Sequence, residues 1–469
     1  MEKYTREKLE AKSKDELIDI ILVMQSMIET LMARVLTLEQ EVERLKTPKN
    51  SRNSSLPPSQ DLFRYKNQSL RQKSERKTGG QFGHKGQNLK MSETPDFTEH
   101  HLPEDKCPIC NKFHNTSDFT LAERRQVVDI PVIKAAVTEH LVYGVKCSCG
   151  HRNEGSFPSH VQTPIQYGKN LTALISYLSI RQFVPMQRLT ELVKSITNIS
   201  MSQGTIFNML DRVAESLTPL YEGIKNDIQR ATTVGGDETG LKVNGENNWA
   251  WVWQTLSETY IVNSKSRGFI TISENFPQGF PNAFYVSDSL SAQLKTTAKG
   301  HQLCLAHLQR ELNFFIDKYQ NNWAKRMMDL LGTSIKLKKR MQPQDYVQCD
   351  DRDLILEEFT LLISECIPED IKKLHTLQKR LRKHRYSIFN FLIYPQVPFD
   401  NNGSERAIRN VKVKLKVSGG FRSERGAEIF SIIRSVVDTI IKKGGDPLID
   451  IAFALKVAAH KKDLLHRRI

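Results

Sequence analysis

Apolar residues near the start of the chain recur with an unbroken 4–3 spacing: Leu17, Ile21, Met24, Ile28, Leu31, Val35, Leu38, Val42 and Leu45. One set, Ile21, Ile28, Val35 and Val42, is entirely β-branched; the other is Leu and Met. β-branched residues at a with Leu at d favour a parallel two-stranded coiled coil. An amphipathic helix packed on its own domain would not need so long an unbroken seam. Ser13 and Glu16 are spaced as a capping box that opens this helix, and Pro48 stops it.

The periodicity then lapses. Residues 46–95 are poor in apolar side chains and rich in Ser, Asn, Gly, Lys and Arg, which predicts a weakly ordered tether. From 124 to 147 the pattern alternates on either side of Pro131 as two strands would. Residues 170–183 read as a buried helix. A second helix carries Leu189, Leu192, Val193 and Ile196 on one face. Asn198 and Ile199 make a turn, and Ser202 caps a third helix with Ile206, Met209, Leu210, Val213 and Leu217 inward. That arrangement is a helix-turn-helix pattern, with Gln203, Thr205, Asn208 and Arg212 outward where such a fold reads base edges. Two packed helices are also ordinary helical filler.

Period-two runs follow. A short run ends at Asp237, an Asn244-Gly245 turn leads to NWAWVWQT, and TYIVN completes an antiparallel meander. NAFYVSD is a short strand ending at Asp288, and HQLCLAHLQRELNFFI is a strand that turns into a helix near His307. Residues 323–395 have the period of long amphipathic helices. Beyond Glu405, Lys412, Lys414 and Lys416 alternate with Val and Leu as in a strand, followed by a Gly-rich turn with Arg422 and Arg425. Such lysines suit either a phosphate backbone or a solvated sheet edge. Phe430, Ile433, Val437 and Ile440 predict a closing helix.

Charge changes this picture. The chain of 469 residues has 68 Lys and Arg against 53 Asp and Glu, a formal charge of +15. Eleven Lys or Arg and two acids fall between Lys46 and Lys90. A basic excess concentrated in a tether points to a polyanionic partner, with binding that weakens as salt rises. No unbroken apolar run approaches the ~18–20 residues of a membrane span, and the charged N-terminus lacks the apolar core of a secretory signal. These features lead to the expectation of a cytoplasmic, nucleoid-associated protein with no membrane partner.

Seven cysteines, four of them between Cys107 and Cys149, suggest a metal site rather than a disulfide framework. Cys107-x2-Cys110 and Cys147-x-Cys149 are spaced as two knuckles for one structural Zn²⁺, and His114 or His151 is placed to replace a ligand at the tight second pair. A closed four-ligand site is structural, so no chemistry is assigned to it.

Asp237 and Asp288 sit on expected strands and Glu405 at the start of an expected helix, FDNNGSERAIRN. Each acid alone means little. Two strand-borne carboxylates and one helix-borne carboxylate can together hold two divalent cations about 3.5–4 Å apart, an arrangement that serves phosphodiester hydrolysis and transfer. Hard oxygen donors suit Mg²⁺ or Mn²⁺.

The stretches NSSLPPSQD, KTGGQFGHKG, GGDETGLKVNGENNWAWVW, HQLCLAHLQREL and FDNNGSERAIRNVKVKLKVSGGFRSERGAEIF resemble a transposase of the insertion sequence 66 family, over nearly the whole chain. The resemblance implies an RNase H-like core with a DDE triad matched by Asp237, Asp288 and Glu405, and a helical insertion before the Glu. It also implies that Cys304 and His307 of CLAH, with Arg310 one turn on, lie near the active site. Ser289 stands where many members have Gly, and the second cysteine pair is C-x-C where many have C-x2-C.

The expected organisation is multidomain α+β: a coiled-coil zipper at 1–47, a basic flexible linker at 48–98, and a small zinc-binding β domain at 99–160. A helix-turn-helix at 161–225 and an RNase H-like DDE domain at 226–469 follow, the latter with its insertion at about 320–396. The expected function is metal-dependent cleavage at element ends and strand transfer into target DNA by a homodimer or higher homo-oligomer, with accessory proteins of the same element as further partners. Two other readings compete: a non-catalytic DNA-binding regulator, and an RNase H-like nuclease without strand transfer.

Overall fold

A computed structural model of the chain describes residues 6–46, 83, 89–115, 117, 119–130, 133–158, 160–367 and 371–466. Most of the basic linker, and Pro131, therefore lie outside the described residues. The chain divides into two compact units, one made of Met1–Tyr65, His140–Leu192 and Met201–Ile469, the other of Lys66–Glu139 and Val193–Ser200.

After a short helix α1 (Arg6–Glu10), α2 runs from Lys14 to Lys46. Ser13 and Glu16 close the expected capping box: the Ser13 amide donates to Glu16 Oε2 at 2.9 Å and the Glu16 amide to Ser13 Oγ at 3.4 Å. The a and d residues from Ile21 to Val42 are exposed. One expectation is corrected here. Lys14–Glu39 is long and apolar enough to cross a membrane by length and composition, with a mean hydropathy of 1.5. Asp19, Glu29 and Arg34 interrupt it, so it is not an unbroken apolar run.

In the smaller unit the described residues contain no strand, so the hairpin expected around Pro131 is absent among them. Apolar side chains there, such as Val127, Ile130 and Val137, are exposed, leaving no apolar face to hold a ladder together. In the larger unit β1 (Gly144–Lys146) and β2 (Arg152–Glu154) pair antiparallel around the second cysteine pair.

Helix α3 (Lys169–Ser176) leads to α4 (Met186–Thr197) and then α5 (Gln203–Arg230). Asn198 takes φ 58° between α4 and α5, and Ser202 caps α5 through a 3.1 Å bond from the Thr205 amide. Ile206, Met209, Leu210, Val213 and Leu217 are all buried, as their spacing predicts. A boundary at 225 cuts α5, which continues to Arg230 and delivers the chain into the sheet.

That sheet has five strands in the order β5-β4-β3-β6-β7. β3 (Thr233–Val243), β4 (Glu246–Gln254) and β5 (Thr259–Ser264) form the expected meander, turned at Asn244 and Gly245, both with positive φ. Helix α6 (Phe269–Asn275) crosses to β6 (Phe280–Ser287), and α7 (Ser291–Leu294) to β7 (Ala298–Leu303). β6 runs parallel to both β3 and β7. The strand bearing Asp237 does not end there but continues to Val243, because β4 pairs with it over its whole outer half.

Side chains alternate across the sheet. Trp251, Trp253, Tyr260, Phe276, Phe280 and Tyr285 build an aromatic layer on one face. Val252 and Ile261 on the other meet Ala407 and Ile408 of α13 (Asn402–Ser418). Edge strand β5 is covered by α14 (Glu424–Lys442), whose Thr439 and Ser435 hydroxyls accept the amides of Thr259 and Ile261 at 3.1 and 2.9 Å. α14 is not the closing helix; α15 (Pro447–His466) follows and packs on α3 and α5.

Between β7 and α13 lies the helical insertion. α8 (Leu305–Tyr319), α9 (Asn322–Arg340), α10 (Asp350–Ser364), α11 (Lys372–Lys383) and α12 (Asn390–Ile393) enclose their own core around Leu312, Trp323, Leu331, Phe359, Leu377 and Phe391. The Lys338 ammonium donates to the Phe391, Tyr394 and Pro395 carbonyls, fixing the segment that leads back toward α13, and burial pushes it down to about 8.

Candidate active site

Gly235 of β3 pairs with Val286 of β6 in parallel register, so two residues on, Asp237 and Asp288 stand at the same level of neighbouring strands. Asp288 lies just past the end of β6, where its Oδ1 accepts the Leu290 amide at 2.8 Å. Glu405 enters from α13. That helix start is pinned by Asn401, 3% exposed, whose Nδ2 donates to the Gly236 carbonyl at 2.7 Å and whose Oδ1 accepts Ser404 Oγ at 2.7 Å. Its own amide reaches Cys304 Sγ at 3.3 Å. The close approach needs Gly235: a Cβ there would stand 2.7 Å from Asn401 Oδ1 and 2.9 Å from Ser404 Oγ.

The Asp237 carboxyl feels its neighbours. Burial, then the charges of Glu238 and Asp288 and more weakly Glu405, push Asp237 well above the usual carboxylate range. Glu405 Oε1 is buried without a hydrogen-bond partner, 3.9 Å from His307 Nδ1 and 3.6 Å from Arg310 Nη2. Arg310 Nη1 is in turn 3.4 Å from His307 Nε2. Burial and neighbouring charge disfavour the charged form of Asp237, and with an unsatisfied oxygen on Glu405 the site fits hard divalent cations.

Cys304, His307 and Glu405 also converge, each offering a ligand atom within 4.8 Å of the others. That trio is a poor metal cage. Burial pushes the Cys304 thiol up to about 11, its sulfur already accepts the Asn401 amide, and the Arg310 guanidinium faces the other two groups. Burial and Arg310 also lower His307, against the opposing pull of Glu405 and Asp288. α8 begins at Leu305, two residues before the expected turn at His307, so His307 and Arg310 share its first turns. They act as a bracket on one oxygen of Glu405.

The two cysteine pairs fall in different units. Cys107 sits in a tight turn in which the Asn111 amide reaches its carbonyl at 2.9 Å, and the Ile109 and Cys110 amides lower its thiol. At Cys147 the Gly150 amide closes the turn at 2.9 Å, and the Cys149 amide lowers the thiol. Each turn is thus shaped to favour a thiolate. His114 and His151 lie at the ends of the first and second turns, respectively.

The expected DNA contacts divide. Gln203, Asn208 and Arg212 are exposed on α5, while Thr205 is half-buried against Ser202. Lys412, Lys414 and Lys416 lie on a helix, not on a strand: α13 propagates through them to Ser418 and ends at Gly419, φ 72°. Period-two alternation lost because only one helical stripe, Ser404, Ala407 and Val411, finds a buried face. Lys412 Nζ donates to the Gly240 carbonyl at 3.0 Å, and Lys414 is half-buried on a different face. Arg409, Lys412 and Lys416 follow Glu405 at i+4, i+7 and i+11, so one basic stripe runs from the carboxylate along the helix. Arg422 is exposed; Arg425 is not available as a phosphate contact, since it pairs with Asp211 of α5 at 2.6 Å and Glu428 at 2.8 Å.

Asn401 and Glu238 escaped the sequence reading. FDNNGSE marked a helix start, yet nothing local shows which Asn is buried. Asn401→Ala should orphan the Gly236 carbonyl and the Ser404 hydroxyl, costing about 1–3 kcal/mol for each buried group left unpaired. The expected outcome is a lower thermal midpoint together with a fall in any activity that needs Glu405. An unchanged melt would show that Asn401 does not anchor α13.

A family model described as Transposase IS66 family matches residues 164–429, more than half of the chain, and one described as a family of unknown function (DUF6444) matches residues 3–90. No curated protein matches the chain.

Proposed function

The chain belongs to the IS66 family of transposases, and on that premise we propose that it cuts DNA at the ends of an insertion sequence and joins the freed 3′-hydroxyl to target DNA. The observation that carries this reading is that the buried Asp237 carboxyl feels the charges of Asp288 and Glu405, three acids that come from distant parts of the chain. The sheet order, three antiparallel strands followed by two parallel ones, suits an RNase H-like core with the insertion between β7 and α13.

Asp237 and Asp288 are held at one level by strand pairing, and Glu405 is swung against them by the Asn401 anchor. His307 and Arg310 stand 3.9 and 3.6 Å from Glu405 Oε1 without a hydrogen bond to it, so that oxygen has no partner of its own. Two Mg²⁺ or Mn²⁺ ions bound by the three acids would stabilise the attacking and leaving oxygens of an in-line phosphodiester exchange. The same residues serve both steps: water attacks first, displacing a 3′-hydroxyl, and that hydroxyl then attacks the target phosphodiester and displaces the target strand's own 3′-oxygen, with no bond to the protein. Arg409, Lys416 and Arg422 lie exposed beyond Glu405 to meet phosphates. With the 46–90 arm they give binding a steep salt dependence.

The test is to incubate the purified protein with element-end DNA and Mg²⁺ and to map any nick. A nick at the element boundary that leaves a 3′-hydroxyl is expected. Specific binding without a nick would favour a regulator, and a nick without joining would favour a nuclease.

The exposed seam of α2 is proposed to pair with a second copy of the chain. Deleting residues 1–47 should leave a soluble protein that sediments as a monomer without DNA. Undiminished self-association of the truncated chain would place the main contact elsewhere.

A further inference from the structure

Glu238 follows Asp237 on β3 but points to the other face of the sheet, opposite Trp251. Its side chain is 2% exposed, and it is a charged group in a layer of aromatic residues. Both oxygens are engaged. Oε1 accepts Arg267 Nε at 3.1 Å and Nη2 at 2.9 Å; Oε2 accepts Gln293 Nε2 at 2.6 Å. Arg267, from the β5–α6 connection, lies over the Trp249 ring at 4.7 Å. Gln293 is fully buried on α7, and its own Oε1 has no partner, so this single bond orients its amide.

Gln293 belongs to the turn that carries Asp288. The Gln293 and Leu294 amides donate to the Leu290 carbonyl at 3.0 Å, and the Leu290 amide donates to Asp288 Oδ1 at 2.8 Å. A continuous chain of bonds therefore runs from Glu238, through Gln293 and Leu290, to the Asp288 carboxylate. Glu238 is itself joined to Asp237 by the backbone, and its amide donates to Asp237 Oδ1 at 2.9 Å. Both aspartates are thus oriented by the same residue.

Burying a carboxylate is expensive, and an apolar residue would serve packing better in an aromatic layer. Only a carboxylate offers two acceptor oxygens here; a glutamine in its place has one, so it can accept from Arg267 or from Gln293 Nε2, not from both. We propose that Glu238 is a positioning residue that, through Gln293, fixes the separation of Asp237 and Asp288 and so sets the affinity of the site for divalent cations. This rests on the metal-dependent reading of the site and assigns Glu238 no contact with metal or DNA.

The test is Mn²⁺ binding to the full chain, followed by electron paramagnetic resonance, beside thermal midpoint and DNA affinity. Glu238→Gln and Gln293→Ala are each expected to weaken Mn²⁺ binding by about tenfold, the lower end of what outer-shell partners contribute. The double variant should be no weaker than the worse single one, because both break one chain of bonds. Arg267→Ala, which spares the Glu238–Gln293 bond, should lower the thermal midpoint with little change in Mn²⁺ binding. If Gln293→Ala binds Mn²⁺ like the wild type while Asp237→Asn loses it, the proposal is overturned and the metal reading stands; this comparison decides even if Glu238→Gln fails to fold. Should Asp237→Asn keep wild-type Mn²⁺ binding, the metal reading fails, and this proposal with it.

Discussion

Asp237→Asn should abolish strand cleavage while leaving DNA binding nearly intact. The loss should exceed the ~10–100-fold that removal of an outer-shell partner costs a metal site, because Asp237 is the acid on which the other charges converge. Asp288→Asn and Glu405→Gln should do the same, and the double variants should be little worse than the single ones, since ligands of one metal pair act as a unit. Asp237 also gives the prediction a second, independent readout. Its folded-state pKa lies well above its ordinary value near 3.8, so the folded protein holds this proton more tightly than the unfolded chain does. The stabilisation that the bound proton provides is lost as pH rises from 3.8 through the raised value. The metal-free Asn variant escapes that loss and should melt higher than the wild type at pH 7–8, with the difference closing toward pH 4. Added Mg²⁺ should reverse the order, because a cation that binds only the folded wild type stabilises it by mass action. Calorimetry with and without chelator checks both signs. A variant that melts below the wild type without metal would show that Asp237 is not strained by its neighbours.

Loss of zinc should be the other large effect. The C-x2-C and C-x-C spacing leads to the expectation of about one Zn²⁺ per chain, which metal analysis checks. Structural zinc in small finger peptides contributes apparent binding energies of ~10–16 kcal/mol, most of which appears as folding. The described residues between 89 and 139 expose many apolar side chains, Ile109 and Val127 each at 92%, and so have little else to order them. Cys147→Ser or strong chelation should therefore release the metal and open residues 100–160 to proteolysis. The sheet and insertion, which have their own cores, should stay folded. A protein purified without chelator that holds no zinc would refute the assignment.

Where the structure departs from the sequence reading, long-range partners are the cause. VKVKLKV has the period of a strand, but a helix already begun at Asn402 continues through it. Arg425 reads locally as a free cation, but Asp211, from far upstream, pairs with it. Asp237 marked a strand end by its own chemistry; only pairing with β4 carried the strand past it to Val243.

The sequence by itself determined what depends on near neighbours. It set the helix starts at Ser13 and Ser202, the turn at Asn244-Gly245, the apolar face of α5, the helical insertion, and the three acids that deserved notice. Caps, turns and periodicities act within a few residues, so one segment suffices to read them. Tertiary structure alone decided which partners the buried polar groups take. Asn401 reaches the Gly236 carbonyl, and Glu238 joins Arg267 to Gln293. Each of these unites residues far apart in the chain, and a buried polar side chain is specified by the partner that satisfies it, which no local pattern names.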